Sequence, residues 1–116
     1  MIVKPIDQVP KKEVEMEGAV SVSVQRPITA SDGSPVFSFR VFTIKPGGTT
    51  PYHSHEWEHL NFIIEGEGVL VDENEKELPI KKGDFALVLP NEQHCYRNTS
   101  EQGDLIMICA VPKEYE

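Results

Sequence analysis

His53-Ser54-His55-Glu56-Trp57-Glu58-His59, the stretch HSHEWEH, carries three of the four histidines in a chain of 116 residues. The fourth, His94, stands far downstream in PNEQHCYRN. So dense a cluster raises the question of whether it grips a metal, and on what backbone. Residues 55–59 match H-E-x-x-H, in which histidines four apart on one helical face bind zinc and the glutamate is the general base. That chemistry requires a helix, and the flanks oppose one. Upstream, IKPGGTTPY sets Pro46, Gly47, Gly48 and Pro51 beside the motif; downstream, LNFIIEGEGVLV is β-rich and broken by Gly66 and Gly68. An extended backbone accounts for more. On a strand, His53 and His55 project to one face because side chains alternate with period two. His59 shares their parity, but on a straight strand it would lie about 13 Å beyond His55, too far for one ion. The chain must therefore turn through EWE so that His59 returns on a neighbouring strand. His94, leaving the turn LPNEQ, would close the site from another strand. Neutral imidazole nitrogens suit Zn, Cu, Ni, Fe and Mn.

The same strand character runs through the chain. Short apolar or alternating segments recur: AVSVSVQ (19–25), VFSFRVFTI (36–44), LNFIIE (60–65), GVLVDE (68–73), DFALVL (84–89) and DLIMICAV (104–111). They are rich in Val, Ile and Phe, as half-buried strands are. Turn signals separate them: KPGG, EGEG, DENEK, KKGD, LPNEQ and NTSEQGD. Nine prolines and eight glycines leave almost no window for a three-turn helix. This spacing predicts one all-β domain, a sandwich or a barrel whose closure would enclose a pocket. Residues 1–17 read as an arm with one edge strand, and residues 18–116 as a single barrel domain.

The formal charge of −8 argues against nucleic acid and anionic membrane surfaces as partners, since both would be repelled. The opening MIVKPIDQVPKK lacks a secretory apolar core, and no run approaches the roughly 18 apolar residues of a membrane span. Two cysteines, Cys95 and Cys109, are too few for a disulfide framework. The expectation is a cytoplasmic protein with reduced thiols.

At this point the residues resemble the cupins, small double-stranded β-barrels of jelly-roll type with two sequence motifs. The first is G-x5-H-x-H-x3,4-E-x6-G; Gly47, His53, His55 and Gly66 fall in register, and His59 takes the glutamate's place. The second is G-x5-P-x-G-x2-H-x3-N; Gly83, His94 and Asn98 keep its spacing. Two positions depart: the proline comes one place late, as Pro90, and Asn91 replaces the inner glycine. Asparagine tolerates the left-handed turn conformation that glycine normally supplies. The resemblance covers residues 36–111 and is closest to single-domain cupins with an all-histidine site.

It implies one divalent transition metal per chain on His53, His55, His59 and His94, with Mn or Fe first and Zn, Ni or Cu possible. A Glu56 or Glu58 ligand would instead make the common three-histidine, one-carboxylate site. Four neutral ligands leave the ion its full double charge, which favours an anionic small-molecule substrate. Single-domain members commonly form homodimers through N-terminal strands, here AVSVSVQ. Two open metal positions would serve a dioxygenase-type oxidoreductase; a non-redox isomerase or lyase and a binding module without turnover are the alternatives.

Other residues carry their own expectations. Cys95 adjoins a ligand, so strand alternation points it away as a buried thiol. Met107 and Cys109 share a face that would line either the pocket or the outer core. Arg40, inside a very apolar strand, reads first as a structural ion pair at the barrel rim, and second as an anchor for an anionic substrate. Phe37, Phe39 and Phe62 read as core. Trp57 would shield the site or pack at a subunit contact.

Overall fold

The computed structural model describes all 116 residues. It contains nine strands: β1 Lys12–Glu13, β2 Val20–Ile28, β3 Phe37–Thr49, β4 His59–Glu65, β5 Glu67–Val71, β6 Glu77–Lys81, β7 Phe85–Val88, β8 Cys95–Arg97 and β9 Leu105–Pro112. There is no α-helix, only three single 3-10 turns at Ile6–Gln8, Ala30–Asp32 and Lys113–Tyr115. No helix is long and apolar enough to cross a membrane. All strand pairs are antiparallel, in the order β6-β5-β8-β3-β9-β4-β7, with β2 on β3 and β1 on β2. The sheet curls into a barrel around an apolar cluster that includes Val22, Ile44, Ile63, Leu70, Val88, Leu105 and Met107.

Curling depends on β3, which serves two parts of the sheet. Its first portion, Phe37–Ile44, pairs with β9, whereas Thr49 pairs with Arg97 of β8. Between them, Pro46-Gly47-Gly48 bends the strand. Gly47 has φ +76, and a Cβ on Gly48 would lie 2.6 Å from the Val20 carbonyl oxygen. KPGG is thus a bend within a strand, not the turn between strands expected from its composition. Strands that pass from one sheet face to another use such irregularities at the corner. Strands β6 and β8 escape the apolar-run criterion for a different reason. In β6 only Ile80 is buried, while Glu77, Leu78, Pro79 and Lys81 are exposed, as suits an edge strand protected from aggregation. Strand β8 is three residues long, Cys-Tyr-Arg.

Alternation along β3 runs against simple hydrophobic-in patterning. Ser38, Arg40, Phe42 and Ile44 take the inward phase, and Phe37 and Phe39 are 55% and 47% exposed. Phe62, on the outward phase of β4, packs against the exposed Phe85 with ring centroids 4.5 Å apart and planes tilted by 41°. The expectation that Phe37, Phe39 and Phe62 form core is therefore corrected. Phe39 and Phe62 belong to an apolar outer surface shared with Leu60, Leu87 and Ile108, and Phe37 is exposed at the start of β3.

Asn98, the last residue of the second motif, is 2% exposed. Its amide donates to the Ile44 and Gly103 carbonyls, both at 2.8 Å, and its Oδ1 accepts from Ser100 N at 2.9 Å. It pins the loop after β8 against β3. Asn98→Ala strands two carbonyls and an amide, and should cost about 2–3 kcal/mol in urea unfolding. A change within about 0.5 kcal/mol would show that water replaces the amide freely.

Candidate metal centre

The segment between β3 and β4 is not helical: it bends at Glu56–Trp57, and His59 opens β4. The zinc-protease reading of H-E-x-x-H therefore has no backbone here. Instead His53 forms an isolated antiparallel bridge with His94. Each backbone donates to the other, His53 N to His94 O at 3.1 Å and His94 N to His53 O at 2.9 Å. Asn91, at φ +67, donates its backbone N–H to the His55 carbonyl at 2.7 Å. The left-handed conformation is the one glycine would supply, and Asn tolerates it. Together these bonds dock the turn before β8 onto the histidine segment.

The consequence is a cluster. Ligand atoms of His53, His55 and His94 lie within 4.8 Å of one another. The His59 ring adjoins them, its centroid 4.4 Å from His55 and 5.2 Å from His94. No carboxylate belongs to the cluster; Glu56 is exposed, within 3.4 Å of the Tyr115 hydroxyl.

The rings are also oriented. His55 Nδ1 lies 2.8 Å from the Trp57 carbonyl oxygen and His94 Nδ1 lies 2.8 Å from the Glu92 carbonyl oxygen. A carbonyl only accepts, so each Nδ1 must carry the proton and each Nε2 keeps its lone pair. His55 Nε2 is buried without any hydrogen-bond partner. A buried lone pair left unmet, beside two other imidazoles, is the donor set a divalent transition ion requires. These residues fit a metal. His59 Nδ1 contacts Cys109 Sγ at 3.4 Å, which leaves its Nε2 unengaged on the other side of the ring.

The histidines share the wall of a cavity of about 340 Å³. Arg40 and Met107 line it too, whereas Cys109, fully buried, sits behind the wall between Arg40 Nη2 (3.3 Å) and His59. The rim ion pair expected for Arg40 is absent: the ion pairs are Lys4–Asp32, Lys45–Asp104 and Arg97–Glu77, and Arg40 is in none. The strand phase explains this, since Arg40 points inward, where no acidic side chain lies. Cys95 is buried against Val69 and Val71, away from the cavity, and both thiols are free. Residues the sequence reading did not single out complete the site. Tyr96 and Asn61 line the cavity, and the Tyr96 hydroxyl donates to Asn61 Oδ1 at 2.8 Å. Burial holds the Tyr96 phenol well above its ordinary range. Trp57 stacks on His55 at 4.1 Å and on Tyr115 at 4.1 Å, so the C-terminal turn braces one flank of the site. An isolated Asn and Tyr in β-rich segments carry no spacing signal that could have marked them beforehand.

All four histidines are held below the usual imidazole range, chiefly by burial. His59 is driven to about 2, with neighbouring His55 and the Arg40 guanidinium adding to the effect. In the unfolded chain histidine protonates near pH 6.5, so below that value the unfolded state binds more protons than the folded one. The histidine contribution is therefore complete above about pH 6.5 and declines as pH falls towards the folded values. Metal-free protein should show a lower urea midpoint at pH ~5 than at pH ~7.5, and His59→Gln should flatten that slope. Equal midpoints at both pH values would contradict the assignment of buried neutral imidazoles.

Comparison with known proteins agrees with this architecture. Residues 40–111 match the family described as "Cupin domain". The chain is 39% identical over 62 residues to an oxalate-binding protein of Thermotoga maritima, covering 53% of this chain and 50% of that protein. The match thus spans half the length of that relative. Among solved structures, the polyketide cyclase RemF from Streptomyces resistomycificus superposes with a TM-score of 0.91 at 25% identity, over 97% of this chain and 80% of that one. A predicted oxalate decarboxylase from Thermotoga maritima superposes with a TM-score of 0.83 at 26% identity, over 96% of this chain and 98% of that one. A histidine cluster in the mouth of a curled antiparallel barrel, with the family match across both motifs, settles the classification: the chain belongs to the cupins.

Proposed function

We propose that this cupin holds one divalent transition metal on His53, His55, His59 and His94 and acts on a small organic molecule by non-redox, Lewis-acid chemistry. The observation that carries the reading is the orphaned Nε2 of His55 among neighbouring imidazoles, on the wall of a cavity without a carboxylate. Mn or Fe is the metal we favour, and Zn, Ni or Cu suits the same donors. A bound ion would supply polarisation of a carbonyl or carboxylate oxygen. Support also comes from similarity to proteins named for oxalate binding and for polyketide cyclisation.

The chain's own residues have limited but definite roles. The Trp57 and Glu92 carbonyls fix two imidazole tautomers, and the Trp57 ring packs against the His55 ring. The apolar wall of Val22, Val24, Phe42 and Met107 excludes water and grips a hydrocarbon portion. The Tyr96 hydroxyl keeps its proton at neutral pH and, already donating to Asn61, is a fixed dipole and not a proton relay. No cavity carboxylate can act as general base. The chain therefore positions and desolvates the substrate, and does not itself shuttle protons.

The homodimer belongs to the same proposal. In the single chain β2 pairs with its own β3, so an exchange of N-terminal strands would transfer an existing pairing to a second copy. A cytoplasmic location, consistent with two free thiols, and an arm over residues 1–17 preceding a barrel domain over 18–116 complete it.

Titration of stripped protein with Mn(II) or Zn(II) should reach one ion per chain. His59→Ala should weaken binding by more than the roughly 10–100-fold typical of losing a group that merely supports a ligand. Glu56→Ala and Glu58→Ala should leave it unchanged. Loss of metal in Glu58→Ala but not in His59→Ala would make this a three-histidine, one-carboxylate centre. Turnover of dicarbonyls or phenols should proceed under nitrogen with the zinc form. An absolute requirement for oxygen together with Fe or Mn would instead establish the dioxygenase expected from the sequence, and tight binding without turnover under any metal would establish a binding module.

A further inference from the structure

The cavity has a charge composition opposite to that of the chain. The protein carries 19 acidic against 11 basic side chains. Yet the cavity wall holds Arg26, Arg40 and four histidines and not one aspartate or glutamate. Of the two arginines, Arg26 is already engaged, its Nε donating to the Glu116 main-chain oxygen at 2.9 Å. Arg40 is not. A guanidinium offers five N–H donors. Here the only acceptor within reach is the Cys109 sulfur, 3.3 Å from Nη2, and Nε is buried with no partner at all. The Phe42 ring lies 5.0 Å from the guanidinium carbon and lends a cation–π contact, which orients the group but does not neutralise it.

A half-buried guanidinium without a counter-ion is costly to maintain in a folded protein. It is tolerated where a ligand brings the missing charge, and the planar N–H fork matches a carboxylate. The same cavity wall carries hydrocarbon from Val22, Val24, Phe42 and Met107, with Phe42 directly beside the guanidinium. We propose that Arg40 is the specificity-determining contact of the cavity, and that its ligand is an organic acid with its carboxylate on Arg40 and an apolar or aromatic body against that wall. This deepens the functional reading above and rests on it only for the cavity being the binding site. The anchor itself does not require metal. Arg40 lies on β3 and reaches the cluster across Cys109, whose sulfur touches both Arg40 and His59. A ligand seated there extends its other end towards the histidines.

Matched acids and amides test this, because they differ in charge and hardly in shape. Benzoate, phenylacetate and 3-phenylpropanoate would be compared with benzamide, phenylacetamide and 3-phenylpropanamide by calorimetry and thermal shift. Each comparison would use Mn(II)-loaded and chelator-stripped full-length protein. At least one acid should bind about tenfold or more tighter than its amide. Arg40→Gln should abolish that preference, and Arg40→Lys should retain part of it. Near-unchanged strand-type circular dichroism would verify that the variants fold. Should Arg40→Gln fail to fold, loss of the acid preference in Arg40→Met or its attenuation in Arg40→Lys carries the same information. Acid and amide binding alike, or neither binding, in wild-type protein would overturn the proposal, as would an acid preference that survives Arg40→Gln. A preference that persists in stripped protein and vanishes in Arg40→Gln would uphold the anchor even if no metal binds. One-to-one metal binding with no acid preference would leave the metal centre standing and remove the anchor.

Discussion

One backbone bridge organises this molecule: the reciprocal N–H···O pair between His53 and His94. It joins two segments distant in sequence and sets their side chains on one face at the barrel mouth. The pair forms only because flanking features bring the strands together. The glycine bend in β3 redirects the chain towards β8, and Asn98 ties that bend to the loop beyond β8. Asn91 then adopts a left-handed conformation that lets its N–H reach the His55 carbonyl. Each element is modest alone, since single hydrogen bonds contribute about 1 kcal/mol. Their effect is geometric: they convert two sequence motifs into one cluster.

That cluster creates an electrostatic problem that the rest of the barrel answers. Four imidazoles packed ring against ring beside an arginine cannot all be charged, and burial keeps them neutral. Neutral imidazoles are metal ligands by their nature, so the features that depress protonation also prepare the site for a cation. The acidic side chains that give the chain its net negative charge lie elsewhere, and none lines the cavity. The cavity wall thus carries two guanidinium groups and no acidic group. A solvated acidic exterior and an acid-free cavity are separate consequences of the same strand alternation.

Alternation also explains the unusual distribution of aromatic residues. In β3 the inward phase carries Ser38 and Arg40 while Phe37 and Phe39 face outward. In β4 the inward phase carries His59, Asn61 and Ile63, and Leu60 and Phe62 lie on the other side. Polar groups needed at the cavity have displaced apolar ones from that face. The outer surface retains the apolar residues, giving the sheet two faces of different chemistry.

Much of the site was legible beforehand because ligand chemistry and spacing are local. Histidines two apart share a strand face, a run such as PGG excludes a helix, and Asn91 in place of glycine tolerates a positive φ; each follows from the residues themselves. The strands rich in Val, Ile and Phe were legible for the same reason, while β6 and β8 were not: β6 is an edge strand whose exposed residues guard against aggregation, and β8, paired on both sides, is only three residues long. What a sequence cannot express is phase relative to a closed barrel. Whether Phe39 or Arg40 faces the interior depends on register with β9 and β2, since a shift of one residue exchanges the faces. The sequence by itself determined a β-rich chain, the cupin motifs and the histidines. Only the tertiary structure decided that Arg40 points inward without a counter-ion, that Cys109 stands between it and His59, and that the phenylalanines lie outside, because contacts between distant strands set those orientations.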